Sequence, residues 1–264
     1  MEGEALGLDY RKNLIVDRDN PILVMKAWRD HFSLRSDAVG QAYLGRPNGE
    51  DALTWNVFRS LERTPSHAGY HVVESLFGVS DVRNLLFWGC DLEHRGDAQN
   101  RLSNLIRRVD GRHAGTMTEI DLLIVAEGEV LCVECKLNWS GSGSPYAARG
   151  GGAEKRWKTY REECPELADF EGDWRAVYQL LRNYVYAKLL TADLGKLKWG
   201  VCPLVNGAHA GGLGAYYTPL RQFSAERFRP LRTWQDARAL IESGVEPLGH
   251  RRSLILRKMA EAGV

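Results

Sequence analysis

The chain has no hydrophobic run approaching the roughly 18 residues that span a bilayer, so no membrane-crossing segment is expected. It has almost no net charge: 35 Lys and Arg stand against 34 Asp and Glu, leaving +1 over 264 residues. That excludes a histone-like coat of positive charge, though local basic patches can still bind nucleic acid. There is no cysteine ladder either. Five cysteines, an odd number without regular spacing, fit a reducing cytoplasm better than a disulfide framework. The opening MEGEALGLDYRKN has no apolar core and does not read as a signal peptide. No internal repeat is present, and RGGGAEK lacks the GK-S/T ending of a phosphate loop. What remains is ordinary for a soluble globular protein: 44% hydrophobic and 26% charged residues, in a length that fits one large domain or one with an appendage.

The positive signals begin with helical spacing. Residues 21–36 place Leu23, Ala27 and Leu34 near one stripe. RPNGEDALTWNVFRSLER (46–63) is a stronger helix, with Asn48 as cap, Glu50 and Asp51 at the positive end of the dipole, and an i, i+4, i+8 stripe of Leu53, Val57 and Leu61. GYHVVESLFG is a further short helix, and NLLFWGC (84–90) reads as a strand. A Gly- and Ser-rich connection over 138–158 reads as a mobile loop. Residues 173–191 form a long amphipathic helix, 197–205 a buried strand, and YYTPL a marginal strand. RTWQDARALIESG and RRSLILRKMAEAG close the chain as helices. The order predicts an α/β fold, a central mixed sheet flanked by helices.

The most informative stretch is TEIDLLIVAEGEVLCVECKLNW (118–139). Glu127-Gly128 is a plausible two-residue hairpin turn. With that turn, cross-strand partners have numbers summing to 255. Asp121 then faces Glu134, and Glu119 faces Lys136. Side chains alternate along a strand, so three acids and one lysine collect on one sheet face. Two carboxylates directly opposite each other are unfavourable, on the order of 4 kcal/mol at about 4 Å and an effective dielectric near 20. Protonation, Lys136 or a bound divalent cation would relieve that cost. Carboxylates, together with the backbone carbonyl of Cys135, suit a hard ion such as Mg²⁺, with Mn²⁺ as substitute. The competing reading is an edge hairpin with surface acids. The apolar LLIVA and VLCV runs, which predict burial on both faces, count against it.

Asp121, a short hairpin and then Glu134-Cys135-Lys136 resemble the D…E-x-K signature of the PD-(D/E)XK, or restriction-endonuclease-like, nuclease superfamily. Locally, TEIDLLIV…VECKLNWSG also resembles the nuclease-related (NERD) domain. Ile120 replaces the proline that usually precedes the aspartate. The resemblance implies a core of helix, strand, catalytic hairpin, helix and strand over 48–210, with helical extensions over 1–47 and 211–264. It also implies a Mg²⁺-dependent nuclease acting on DNA, an endonuclease of bacterial defence or repair. Asp121 and Glu134 would hold the metal and Lys136 would serve the attacking water. Glu50, with Glu74 as rival, would be the added helix ligand. Glu119 would make a salt bridge or support a second metal, and Gln179, which shares a helix face with Asn183, would act behind the ligands or on DNA. Arg149, Lys155, Arg156 and Lys158, with Trp157 among them, would clamp phosphates. The expected protein is cytoplasmic, binds no membrane and can form a homodimer. The alternative is a non-catalytic nucleic-acid-binding module that keeps the fold.

The remaining polar signals carry less. Cys132 and Cys135 form a C-x-x-C, but i and i+3 on a strand point to opposite faces and cannot share one zinc ion. His67, His71, His94 and His113 follow no ligand spacing and read as structural. HRRSLILRK is a second basic stretch that reads as a solvated helix face.

Overall fold

The computed structural model describes residues 10–18, 44, 49–93, 96–111, 120–139, 143–148, 152–244 and 248–264. The 21–36 helix, the Asn48 cap, Glu119, Arg149, His94 and His113 lie outside them. Among the described residues no helix is long and apolar enough to cross a membrane. The chain divides into two compact units, residues 1–79 with 234–264, and residues 80–233.

The first unit is helical among its described residues. It contains α1 (Tyr10–Asn13), α2 (Glu50–Thr54, continued by a π turn over Trp55–Arg59 and by Ser60–Glu62) and α3 (Tyr70–Phe77). It closes with α8 (Trp234–Glu242) and α9 (His250–Glu261). The expected stripe holds: Leu53, Val57 and Leu61 are all buried. Gly49 occupies the N-cap of α2 and provides no side-chain cap. Arg59 is buried and compensated by Asp17 at 2.7 Å and Glu62 at 2.5 Å. α3 ends on Gly78 at φ +64°, the left-handed cap that glycine adopts without a Cβ clash.

The second unit holds a mixed six-stranded sheet of order β2-β1-β3-β4-β5-β6, so the overall class is α/β as expected. The strands are β1 (Val82–Phe87), β2 (Cys90–Asp91), β3 (Leu122–Ala126), β4 (Glu129–Lys136), β5 (Lys198–Val205) and β6 (Arg232–Thr233). β2, β1, β3 and β4 pair antiparallel in turn, while β5 pairs parallel with β4 and β6 parallel with β5. Helices α4 (Ala98–Val109), α5 (Ala153–Glu163), α6 (Tyr178–Asp193) and α7 (Gly207–Phe223) belong to this unit. α6 packs on β4 and β5, as a crossover between parallel strands requires.

Three local expectations need correcting. NLLFWGC is not one strand: β1 stops at Phe87, Trp88 and Gly89 turn at φ +50° and +83°, and Cys90 pairs back with Phe87. Glycine adopts that conformation freely, and the tryptophan is held in it by burial. YYTPL is helical, inside α7, because Leu213, Tyr217 and Leu220 bury one face at helical spacing and Asn206 caps the helix by accepting from the Ala208 amide at 3.1 Å. The basic segment that read as loop is also helical from Ala153 onward, since Ala153, Trp157 and Tyr160 form a buried stripe.

Candidate metal centre

Register builds the centre. Leu122 pairs with Val133, Leu123 with Cys132, Ile124 with Leu131 and Val125 with Val130, so every pair sums to 255 as predicted. Asp121 stands just before β3, where the Trp88 amide donates to its carbonyl at 3.3 Å. Its side chain reaches across the hairpin, and Oδ2 accepts from the Cys135 amide at 2.8 Å. Glu134 and Lys136 lie two residues apart on β4 and share a face. Lys136 Nζ then sits 3.6 Å from Asp121 Oδ2 and 3.0 Å from Glu134 Oε1. One lysine therefore touches both acids, and the three residues converge on one point.

The hairpin is not an edge. β3 and β4 occupy the middle of the sheet, and every residue of both except Lys136 is buried. Glu134 is 1% exposed, so its charge must be compensated locally. Lys136 is one partner, and α6 supplies two more: Asn183, expected only to share a face with Gln179, and Arg182, which no spacing pattern pointed to. Arg182 Nη2 donates to Glu134 Oε2 at 3.1 Å, and Asn183 Nδ2 donates to the same oxygen at 2.8 Å. Asn183 Oδ1 in turn accepts from Arg182 Nε at 3.2 Å and Nη2 at 3.1 Å. Burial alone would raise the Glu134 pKa. The Lys136 and Arg182 charges, with the donors that touch the carboxylate, outweigh it and hold the carboxyl below the ordinary glutamate value. Burial likewise tends to lower the Arg182 pKa, but Glu134 beside it raises it, so the guanidinium stays charged.

The donor set fits a hard divalent cation. Its candidate ligands are carboxylate oxygens, and Glu134 Oε1 is a buried oxygen without a hydrogen bond of acceptable geometry, its close polar neighbour being the Lys136 ammonium. The other expected site residues distribute as follows. Glu50 opens the first turn of α2 in the first unit, and Glu74 lies on α3 and pairs with His71 at 3.0 Å. Gln179 is half-buried on α6; its backbone N–H donates to the Tyr146 carbonyl at 3.0 Å, and its side-chain Oε1 is buried without a hydrogen-bond partner. The contacts to Glu134 come one turn further along, from Arg182 and Asn183. Lys155 and Lys158 are exposed on α5, whereas Arg156 is partly buried and its charge acts on Asp110. The signal for Arg182 was its place as a charged residue among the aliphatic and aromatic side chains of QLLRNYVY.

Behind Arg182 lies a buried polar cluster. Asp110, at the end of α4, accepts from the Tyr160 hydroxyl at 2.8 Å, and the Tyr160 and Tyr178 hydroxyls are 3.3 Å apart. Burial pushes the Asp110 carboxyl above its ordinary value, opposed by the Tyr160 hydrogen bond and the Arg156 and Arg182 charges. Trp139, three residues after Lys136, donates to the Gly143 carbonyl at 2.6 Å and meets His209 and Tyr216 of α7 edge-on at 6.1 Å each. The Asn206 amide donates to the Lys136 carbonyl at 3.1 Å, tying the start of α7 to the end of β4. No family model, no curated protein and no solved structure matches the chain.

Proposed function

We propose that the chain is a Mg²⁺-dependent nuclease that hydrolyses phosphodiester bonds of DNA, an endonuclease of bacterial defence or repair with the restriction-endonuclease-like core that the D…E-x-K resemblance implies. One observation carries this reading: Lys136 Nζ lies within 3.6 Å of both Asp121 and Glu134 on a central hairpin. Interiors exclude such charge unless it is paired, and a buried Glu134 beside a partly exposed Asp121 and Lys136 is the kind of set that metal-assisted phosphoryl chemistry uses. The choice of DNA, and the setting, rest on the resemblance.

Asp121, Glu134 and the Cys135 carbonyl would hold the ion, which supplies charge stabilisation at a phosphoryl oxygen and makes water a better nucleophile. Lys136 orients the water and stabilises charge developing on the phosphate. Arg182 and Asn183 fix the Glu134 carboxylate in one orientation, as preorganised catalysis requires. Lys155 and Lys158 offer exposed positive charge to the phosphate backbone.

A second reading is favoured by a separate observation. Lys136 and Arg182 already compensate Asp121 and Glu134 charge for charge. That arrangement also suits a non-catalytic nucleic-acid-binding module. Incubation of the purified protein with plasmid and oligonucleotide DNA and RNA, with Mg²⁺, Mn²⁺ or EDTA, separates the two. Metal-dependent nicking or linearisation of DNA supports the nuclease. Binding without cleavage under every condition supports the module, and RNA-only cleavage moves the substrate from DNA.

A further inference from the structure

We infer that Arg182 is a resident cation of the Glu134 carboxylate and restricts the centre to a single divalent ion. The inference rests on the metal-dependent reading above. Two-metal hydrolytic sites place their ions about 3.5–4 Å apart and need carboxylate oxygens to serve both. Here each acid has committed one oxygen to the protein. Asp121 Oδ2 takes the Cys135 amide at 2.8 Å. Glu134 Oε2 takes Asn183 at 2.8 Å and Arg182 at 3.1 Å. Both α6 donors are buried, Asn183 at 0% and Arg182 at 8% exposure.

An ion seated on Oε2 would displace a permanently charged guanidinium from a buried position where Asn183 also holds it. That guanidinium would then lie in a low-dielectric interior without its carboxylate, a strongly unfavourable outcome. Oε1 differs: it is buried, lacks a hydrogen bond of acceptable geometry, and faces the Lys136 ammonium, which is partly exposed and carried on a flexible stem. Glu134 therefore offers a divalent ion one oxygen. The guanidinium holds the place, and supplies the positive charge, that a second ion would bring to the other.

Mn²⁺ binding tests this independently of activity. Calorimetric titration of the wild type and of Glu134→Gln should differ by one Mn²⁺ per chain. The electron paramagnetic resonance spectrum of the saturated wild type should show isolated ions without an exchange-coupled pair. Arg182→Met should admit one additional Mn²⁺ with the fold intact by circular dichroism. Two Glu134-dependent ions, a coupled spectrum, or a folded Arg182→Met with unchanged stoichiometry overturns the inference while leaving the nuclease reading standing. Absence of any Glu134-dependent Mn²⁺ overturns both. Should either variant fail to fold, the wild-type spectrum still decides.

Discussion

Glu134 shows what a single buried charge demands of its surroundings. Its carboxylate has three compensating groups, and losing the charge leaves Arg182 buried without its partner. Glu134→Gln should therefore lower stability by about 3–5 kcal/mol at neutral pH. The pH dependence has a defined sign. The folded-state pKa lies below the ordinary value of 4.5, so the contribution is fully present above that value and is lost as pH falls through the lower folded value. Thermal melts of wild type and variant should keep a constant gap from pH 7 down to about 4.5 and converge only as pH falls further; a gap that stays constant below that value contradicts the assignment. Asp110 behaves oppositely. Its folded pKa is raised above the ordinary 3.8, so its contribution is present below that value and is lost as pH rises through the raised one. The cost of Asp110→Asn should shrink with rising pH over that window. Asp121, Glu134 and Lys136 were legible in the sequence because a two-residue turn and a period of two fix their register locally. Arg182 was not, because its partner is 48 residues away and no spacing rule names it.

At the scale of elements, the hairpin was legible and α7 was not. Strands β3 and β4 announce themselves by continuous aliphatic residues and a Glu-Gly turn. α7 carries Gly207, Gly211, Gly212 and Gly214, each a poor helix former, which dilutes the helical signal and leaves the aromatic YYTPL to read as a strand. α4 passed unnoticed because its stripe of Leu102, Leu105, Ile106 and Val109 is embedded in Gln, Asn and Arg. The glycines of α7 are not equivalent. A Cβ at Gly212 would stand 2.6 Å from the Trp139 ring, whereas at Gly211 and Gly214 it would meet open space. Gly211→Ala and Gly214→Ala should each stabilise by about 0.5–1 kcal/mol through helix propensity. Gly212→Ala should instead cost about 1–3 kcal/mol and change Trp139 fluorescence, because the ring must leave its seat against α7. Urea denaturation followed by circular dichroism and fluorescence checks all three, and equal behaviour of the three variants would contradict the Trp139 docking.

For the whole molecule, charge sets the terms of any encounter with nucleic acid. A net +1 gives no long-range attraction for a polyanion, so affinity must come from local lysines and arginines. Lys155 and Lys158 are exposed on α5, and the Lys155→Ala, Lys158→Ala double variant should reduce the magnitude of the slope of log K against log salt by about 1.8 if both contact duplex phosphates. An unchanged slope in fluorescence-anisotropy titrations would remove α5 from the interface. The α/β class and the central place of the hairpin followed from strand order and apolar runs. The division of the chain at 79/80 and 233/234 did not, because it depends on which distant segments pack together. Everything proposed for catalysis depends on Asp121, Glu134 and Lys136 forming one hydrolytic centre. Single-turnover cleavage of plasmid DNA by wild type and Lys136→Ala, at matched DNA occupancy with Mg²⁺ or Mn²⁺, tests it most directly. The variant should stay folded, bind DNA, and lose at least about 100-fold in cleavage rate, the scale of a positioned acid–base group. Metal-dependent cleavage at the wild-type rate in Lys136→Ala would contradict it.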